Sequence, residues 1–209
     1  MKIINAEYRI LTPITGDELK FIEYISRTCY NSFSRMSEYS SEIFVKGLID
    51  RGHEAMLEHS SLSVKFICDR GVSHELVRHR LASFAQESTR YIKYGELTFI
   101  KPCYLQEDTP EYNNWKVAME EAEKHYYSLM GYGVIPQEAR AVLPNSLKTT
   151  LIMTANYREW RHFFKLRAAR ATGAAHPQME ELTIPLLQEL RGMIPVIFDD
   201  IVTIGDVNE

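Results

Sequence analysis

Three segments of the chain are strand-like, and in two of them apolar and polar residues alternate with the period of two that is typical of half-buried β-strands. The first segment carries Ile4, Ala6, Tyr8 and Ile10, and the second carries Leu62, Val64, Phe66 and Cys68, with Ser or Lys between most of them. The third, Leu147 to Thr154, reads as a further strand. The pattern therefore predicts strands near the N-terminus, near residue 65 and near residue 150.

Residues at helical spacing, together with capping residues, predict several helices. Two are short, one through Leu19 to Cys29 and one through Ile43 to Leu48 that closes in a left-handed turn at Gly52. A longer helix is expected from Pro110, with Thr109 as its capping residue, to Gly131. The last begins after Asn156 and runs through Trp160, Phe163, Phe164 and Arg167.

Helices and short strands are mixed without the regular strand-helix alternation of a doubly wound sheet, so the sequence predicts an α+β fold. No repeat or Gly/Ser-rich linker interrupts it. We therefore expect a single domain over residues 1–209, with a mostly antiparallel or mixed sheet packed against helices.

Composition narrows the classes of protein. The chain has 209 residues, 45% of them hydrophobic and 25% charged, which argues against disorder. Three cysteines without a CxxC pair indicate a reducing cytoplasm and neither a disulfide scaffold nor a zinc ribbon. The longest apolar runs, such as Met193 to Phe198, are far shorter than the ~20 residues of a membrane span, so a soluble protein is expected.

A net charge of −4 argues against a surface that coats nucleic acid, but the charge is unevenly distributed. Residues 78–93 carry a local +3 and residues 140–176 a local +6, which leaves −13 for the rest of the chain. Arginine forms bidentate hydrogen bonds with phosphate. Two cationic segments in an acidic chain therefore indicate an enclosed site for a phosphorylated ligand, although a solvated helix face is the ordinary alternative for any single arginine.

Arg167 follows Phe164 by three residues and Phe163 by four, so it is predicted to project from the apolar face of its helix and to need an anion. His74, Arg78 and Leu81 fall on one predicted helical stripe. The residues after this stripe are dense in hydrogen-bonding groups of the kind that hold phosphate and a base edge: Ser83, Gln86, Glu87, Ser88, Thr89 and Arg90.

These residues form motifs that resemble those of the flavin-dependent thymidylate synthases. Arg78-His79-Arg80 followed after seven residues by Ser88 is similar to the RHR-x7-S signature of that family, and Ser88 to Tyr91 continues it as S-x-RY. Further matches, in the family's order, are Gly52-His53-Glu54 with Glu58-His59, Glu138 to Pro144, Phe163 to Arg167, and His176 with Gln178 and Glu180. One RHR triplet would be a weak signal, but the ordered set is highly specific.

The resemblance implies a homotetramer with active sites shared between subunits. Such an enzyme binds FAD and makes dTMP from dUMP, taking the methylene group from 5,10-methylenetetrahydrofolate and the reducing equivalents from NADPH through the flavin. It implies no metal, no nucleic acid and no membrane. No protein nucleophile is required, and Ser88 is interpreted as a phosphate or pyrimidine ligand because a serine nucleophile needs an adjacent base.

The resemblance also implies roles for individual residues. Arg167 would lie against the uracil ring and favour its N3-deprotonated form, consistent with a fixed cation on an apolar face. The expected flavin contacts are His53, Ala55, Arg78, His79, Arg80, Leu81, Gln86, Asn156, Arg158 and His162. The expected substrate contacts are Glu75, Arg78, Gln86, Glu87, Ser88, Thr89, Arg90, Arg140 and Arg167.

The chain also departs from the family pattern. Glu75 stands where the family often has Gln, and such an extra carboxylate would repel an anionic nucleotide unless it is protonated or paired. Gln86 stands where Glu is common, with the acid at Glu87 instead, and His162 occupies a position where Asn is expected. These departures concern the contacts in the site.

Three other interpretations stay open from the sequence. His53-Glu54 with Glu58-His59 approaches a metal-hydrolase motif, but neither HExxH nor HxxEH is complete, and both histidines have an ordinary structural interpretation. Cys103 after Pro102 is more typical of a small apolar filler than of a nucleophile. A nucleotide- or RNA-binding module would use the same arginines with four aromatic residues as stacking surfaces: Tyr91, Tyr94, Phe99 and Tyr104.

Overall fold

A computed structural model of the chain describes residues 1–207. Over this range the chain forms six strands. They are β1 (Lys2–Ile4), β2 (Glu7–Ile10), β3 (Ser61–Asp69), β4 (Ala82–Gln86), β5 (Thr98–Ile100) and β6 (Lys148–Asn156). The alternation near the N-terminus is thus divided into two short strands, and the predicted strands near residues 65 and 150 are β3 and β6.

Eight α-helices accompany the strands within the described residues. They are α1 (Glu18–Thr28), α2 (Ser40–Asp50), α3 (Arg70–Leu76), α4 (Pro110–Gly131), α5 (Pro136–Ala139), α6 (Tyr157–Arg167), α7 (Pro177–Met193) and α8 (Ile204–Val207). Short 3₁₀ helices lie at Phe33–Arg35, Glu54–His59 and Arg140–Val142. Within this range no helix is long and apolar enough to cross a membrane.

The strands form two sheets. β1 pairs in parallel with β5, with Lys2 opposite Thr98, and the other sheet has the order β2-β3-β6-β4. β3 and β6 run antiparallel, since the Ser63 and Thr154 hydroxyls lie 2.8 Å apart near one end of the pair. Near the other end the backbone N–H of Arg70 donates to Asn145 O at 2.9 Å. The α+β prediction is confirmed.

Two compact units can be distinguished, and the four strands of the larger sheet contribute residues to both. The first unit comprises residues 1–9, 65–80 and 84–153. The second comprises residues 10–64, 81–83 and the chain from 154 onward. The single-domain prediction for residues 1–209 extends over Asn208 and Glu209, which lie outside the described residues, and it stays a prediction.

The core of the first unit lies between α4 and β5. Its buried side chains are Leu97, Phe99, Met119, Tyr126, Ala139 and Leu147. α4 has the predicted bounds, and it begins after Thr109 because this residue caps it: the Thr109 hydroxyl accepts a hydrogen bond from the N–H of Tyr112 at 3.3 Å. Pro110 occupies the first helical position, where the missing N–H costs nothing.

The core of the second unit is aromatic and centres on α6. Trp160 stacks on Phe164 with ring centroids 5.6 Å apart and meets Phe163 edge-on at 5.3 Å. The Trp160 indole N–H donates to Leu62 O at 3.0 Å, which ties α6 to β3. α6 begins where predicted because the Asn156 side chain accepts a hydrogen bond from the N–H of Glu159 at 2.9 Å.

The Thr109 cap gives a stability prediction. Replacing Thr109 by Ala removes the side-chain acceptor for the Tyr112 N–H, so we expect the free energy of unfolding to fall by about 1 kcal/mol in urea denaturation. The control is Thr109→Ser, which keeps the hydroxyl and is expected to keep most of the stability. Equal stability of Thr109→Ala and the wild type would contradict the cap.

Candidate active site

The signature residues 78–80 lie in a turn, not on the predicted helical stripe. α3 ends at Leu76, and β4 begins at Ala82. The stripe prediction is wrong because the last turn tightens: the N–H of Arg78 donates to Glu75 O and that of His79 to Leu76 O, each at three residues' separation. His79 is buried, whereas Arg78 and Arg80 are exposed. Two guanidinium groups are thereby presented to solvent.

Gln86, at the end of β4, is held by two hydroxyl groups of the first unit. Its side-chain Nε2 donates to Ser73 Oγ at 2.9 Å and to Thr149 Oγ1 at 3.3 Å. Ser73 and Thr149 are both buried. The amide of Gln86 is therefore fixed in orientation, as a residue that positions a ligand needs to be.

Glu87, the next residue, forms an ion pair with Lys148. Its carboxylate lies 2.6 Å from Lys148 Nζ and accepts a hydrogen bond of 3.4 Å from the Tyr94 hydroxyl. Its backbone N–H donates to Thr150 O at 2.9 Å, which fixes the loop against β6. Burial, with the added repulsion of the Glu87 charge, raises the pKa of Tyr94 to about 12. Lys148 belongs to the basic segment 140–176, but the sequence alone predicts no role for it.

The loop from Gln86 to Arg90, here called the binding loop, also contacts a distant motif. Arg140 Nη1 donates to Thr89 Oγ1 at 2.9 Å across 51 residues of sequence. Within the loop the N–H of Arg90 donates to Ser88 Oγ at 3.2 Å. Arg90 and Arg140 are both exposed. The structure thus brings the signature serine loop and the Glu138–Pro144 motif together, as the family pattern implies.

This arrangement suits a phosphate monoester. Guanidinium groups supply bidentate N–H donors, and the neighbouring hydroxyls of Ser88 and Thr89 supply further hydrogen bonds. Glu75, also expected at the substrate, is half-buried in the last turn of α3. The candidate nucleotide site is therefore a cationic surface of the first unit.

The remaining expected flavin residues belong to the second unit. His53 and Ala55 are exposed at the start of the 3₁₀ helix Glu54–His59, which follows the left-handed turn at Gly52 (φ +71°). Leu81 is 77% exposed. His59, like His53, is exposed.

On α6 the expected residues have different environments. Asn156 is the cap, and Arg158 pairs with Glu58 at 2.6 Å on the surface. His162 is exposed, and Arg167 is half-buried in the last turn. The Thr183 hydroxyl donates to Arg167 O at 2.8 Å and ties this turn to α7. The prediction that Arg167 projects from the fully apolar face is therefore only partly met.

The buried arginine of α6 is Arg161, whose side chain is 1% exposed. It donates in bidentate fashion to Asp200 at 2.6 and 2.7 Å, to Glu54 Oε1 at 3.1 Å and to Ile197 O. Burial alone would raise the pKa of Asp200, but the hydrogen bond and charge of Arg161 lower it overall. No local pattern in the sequence indicates this group, because its carboxylates lie 107 and 39 residues away.

The structure bears on each of the three open alternatives. Phe99 is fully buried in the first core, so it cannot serve as a stacking surface for RNA. Cys103 is exposed, so its interpretation as an apolar filler is wrong. As to the metal-hydrolase interpretation, no group of three or more metal-ligating side chains was found in the part of the chain that the structure describes.

Comparison with known proteins places these features in a family. The profile described as "Thymidylate synthase complementing protein" matches residues 11–196. The flavin-dependent thymidylate synthase of Corynebacterium aurimucosum is 34% identical over 208 residues, covering 90% of this chain and 82% of that protein. The enzyme of the same name from Pyrococcus furiosus is 35% identical over 193 residues, with 90% and 77% covered.

The fold is also similar to that of a solved structure. The UMP/dUMP methylase PolB of Streptomyces cacaoi, bound with 5-Br dUMP, superposes with a TM-score of 0.80 at 23% sequence identity. The likeness covers 95% of this chain and 96% of that chain. At this identity the comparison establishes the fold alone.

Arg161 gives the second prediction. Arg161→Met leaves the carboxylates of Glu54 and Asp200 without their shared cation, and we expect the free energy of unfolding to fall by about 3–5 kcal/mol in urea denaturation. As a control, Lys124→Met breaks only the exposed pair with Glu121 and should have a far smaller effect. A loss below about 1 kcal/mol for Arg161→Met would contradict the assigned role.

Proposed function

The chain belongs to the thymidylate synthase complementing protein family, and from this premise we propose that it makes dTMP from dUMP by reductive methylation. Membership makes it an enzyme with a flavin cofactor. In our proposal the flavin is FAD, the carbon donor is 5,10-methylenetetrahydrofolate and the reductant is NADPH. FAD, when bound, supplies the hydride chemistry that protein side chains lack.

The observation that supports this function most directly is the hydrogen bond from Arg140 to Thr89. It joins the binding loop to Arg140 of the Glu138–Pro144 motif and so presents arginine N–H groups beside serine and threonine hydroxyls. A nucleotide monophosphate needs such donors for its phosphate. We propose that Arg78, Arg140 and the binding loop hold dUMP, with Glu75 also at its site.

The exposed residues of the signature turn fit a dinucleotide flavin. Arg78 and Arg80 present two cations to solvent, and a pyrophosphate carries two negative charges that bidentate donors can hold. In the proposal, FAD is further contacted by eight other residues. They are His53, Ala55, His79, Leu81, Gln86, Asn156, Arg158 and His162.

Arg167 is proposed to act on the uracil ring. Its position in the last turn of α6 places a cation where the helix dipole favours one, and the Thr183 hydrogen bond to its carbonyl holds that turn in place. A fixed guanidinium beside the ring stabilises the N3-deprotonated form and the negative charge that develops during reaction. Arg167 is thus the proposed catalytic residue.

Ser88 is proposed as a ligand of the phosphate or pyrimidine. Serine becomes a nucleophile only beside a base. The Ser88 hydroxyl instead accepts a hydrogen bond from the backbone N–H of Arg90. A hydroxyl oriented by a backbone amide is suited to donate its own proton to a ligand oxygen.

We further propose a cytoplasmic homotetramer with shared active sites. Large apolar side chains lie exposed on and near α1 and α2: Phe21, Tyr24, Tyr30, Tyr39 and Ile43. α1 and α2 pack against each other. Large exposed apolar side chains gathered on such neighbouring elements are typical of a protein interface. An interface between subunits would remove these side chains from water.

The proposed function predicts a yellow protein. Purified protein should carry FAD or take it up with the absorbance of a bound flavin, and anaerobic NADPH should bleach that colour. With dUMP and 5,10-methylenetetrahydrofolate present, dTMP should then form. A colourless protein that fails to take up FAD would contradict the proposal.

The proposed roles predict that two variants fail at different steps. Arg167→Ala should retain FAD but lose at least about 100-fold in dTMP formation, a loss typical of removing one charge-stabilising group. His53→Ala should weaken FAD binding first, as measured by flavin content after gel filtration. Lys124→Ala, at an exposed lysine of α4 outside the proposed site, is the control and should behave as the wild type. Wild-type activity in Arg167→Ala would refute the role of that residue.

A further inference from the structure

A carboxylate in the binding loop is an electrostatic problem for the proposed function. Glu87 directly precedes Ser88 and Thr89, the residues proposed to meet a nucleotide phosphate. A phosphate monoester carries nearly two negative charges at neutral pH, and like charges near a partly buried site repel strongly. The loop can bind such an anion only if the charge of Glu87 is compensated.

Lys148 provides that compensation. Its Nζ lies 2.6 Å from Glu87 Oε2, and the two side chains are only 23% and 17% exposed, so water screens this pair less than a surface pair. The Tyr94 hydroxyl donates to the other carboxylate oxygen at 3.4 Å. Both oxygens of Glu87 therefore have donors supplied by the chain itself.

The strand geometry determines which residue meets Lys148. Along β6 the residues alternate, with Lys148 and Thr150 half-buried and Thr149 buried between them. Gln86 hydrogen-bonds the Thr149 hydroxyl, whereas the next residue, Glu87, meets Lys148 and is anchored by its N–H to Thr150 O. Neighbouring residues of the loop thus use opposite faces of one strand.

We propose that Lys148 is a positioning residue that neutralises Glu87 and so allows the binding loop to accept a nucleotide monophosphate. This inference rests on the proposed function. Lys148 acts through Glu87 and holds the loop in an electrically neutral form. Glu87 in turn belongs to the site through its position and charge.

Steady-state kinetics of the FAD-loaded enzyme test this inference. Lys148→Met leaves the Glu87 charge uncompensated beside the phosphate, so the KM for dUMP should rise at least about tenfold with kcat within about twofold. Higher ionic strength should narrow the difference, because salt screens the repulsion. Lys148→Arg keeps the cation and should stay within about threefold of the wild-type KM.

The carboxylate variants give the opposite result if the inference holds. Glu87→Gln removes the negative charge and leaves Lys148 as an added cation, so the KM for dUMP should fall about threefold. Glu87→Gln combined with Lys148→Met removes both charges and should return the KM to within about threefold of the wild type. Loss of folding alone would not produce this rescue, and flavin content should be the same in all variants.

Lys101→Met is the matched control. Lys101 pairs with Glu107 at 2.8 Å and is 22% exposed, close to the exposure of Lys148, but it has no place in the proposed site. Its substitution should leave the KM for dUMP unchanged. An effect as large as that of Lys148→Met would overturn the specific role of Lys148.

Three further outcomes would overturn the inference: an unchanged KM in Lys148→Met, a double variant as impaired as Lys148→Met, and a KM that stays or rises in Glu87→Gln. The last measurement decides the matter even if Lys148→Met fails to fold. Failure of the proposed function is distinguishable, because the wild-type enzyme would then form no dTMP. A wild type that forms dTMP with a different order of KM values contradicts only the role of Lys148.

Discussion

Charged groups removed from water need partners of opposite charge, and this constraint governs the arrangement of both units. In the second unit the buried guanidinium of Arg161 draws Glu54 and Asp200 to α6. In the first unit Lys148 holds Glu87, while Arg140 is left to contact a neutral hydroxyl, that of Thr89. The carboxylate is thus neutralised within the chain, and the proposed phosphate site retains donors for a ligand.

The sequence predicts the elements that depend on local chemistry. Thr109 and Asn156 mark the starts of α4 and α6 because a cap is a contact over three residues, visible in the sequence itself. The end of α3 was predicted wrongly, since periodicity continued through Arg78 although the backbone tightened after Leu76. Burial of Arg161 and pairing of Lys148 with Glu87 depend on residues 39 to 107 positions apart, which no local pattern reports.

The candidate site also combines features that the sequence predicts with features that only the structure shows. Spacing and motif order identified the binding loop and Arg140, and the structure joins them within one unit. Arg167 was assigned from the apolar face of α6, but Arg161 of the same helix is buried more completely. The two arginines have different roles. Arg161 is neutralised by two carboxylates and stabilises the fold, whereas Arg167 lies half-buried at the end of the helix and carries the proposed chemistry. The proposed function explains this difference, because its chemistry requires a cation at the substrate.

This chain is proposed to transfer a one-carbon unit to dUMP and to reduce that unit to a methyl group through a flavin. Mass spectrometry of the nucleotide product tests it most directly, after the FAD-loaded enzyme is incubated with NADPH, dUMP and 5,10-methylenetetrahydrofolate labelled with ¹³C in the methylene group. We predict dTMP that carries one ¹³C atom in its methyl group and that forms only when all three substrates are present. Unlabelled dTMP, or dUMP recovered unchanged from a flavin-loaded enzyme, would contradict it.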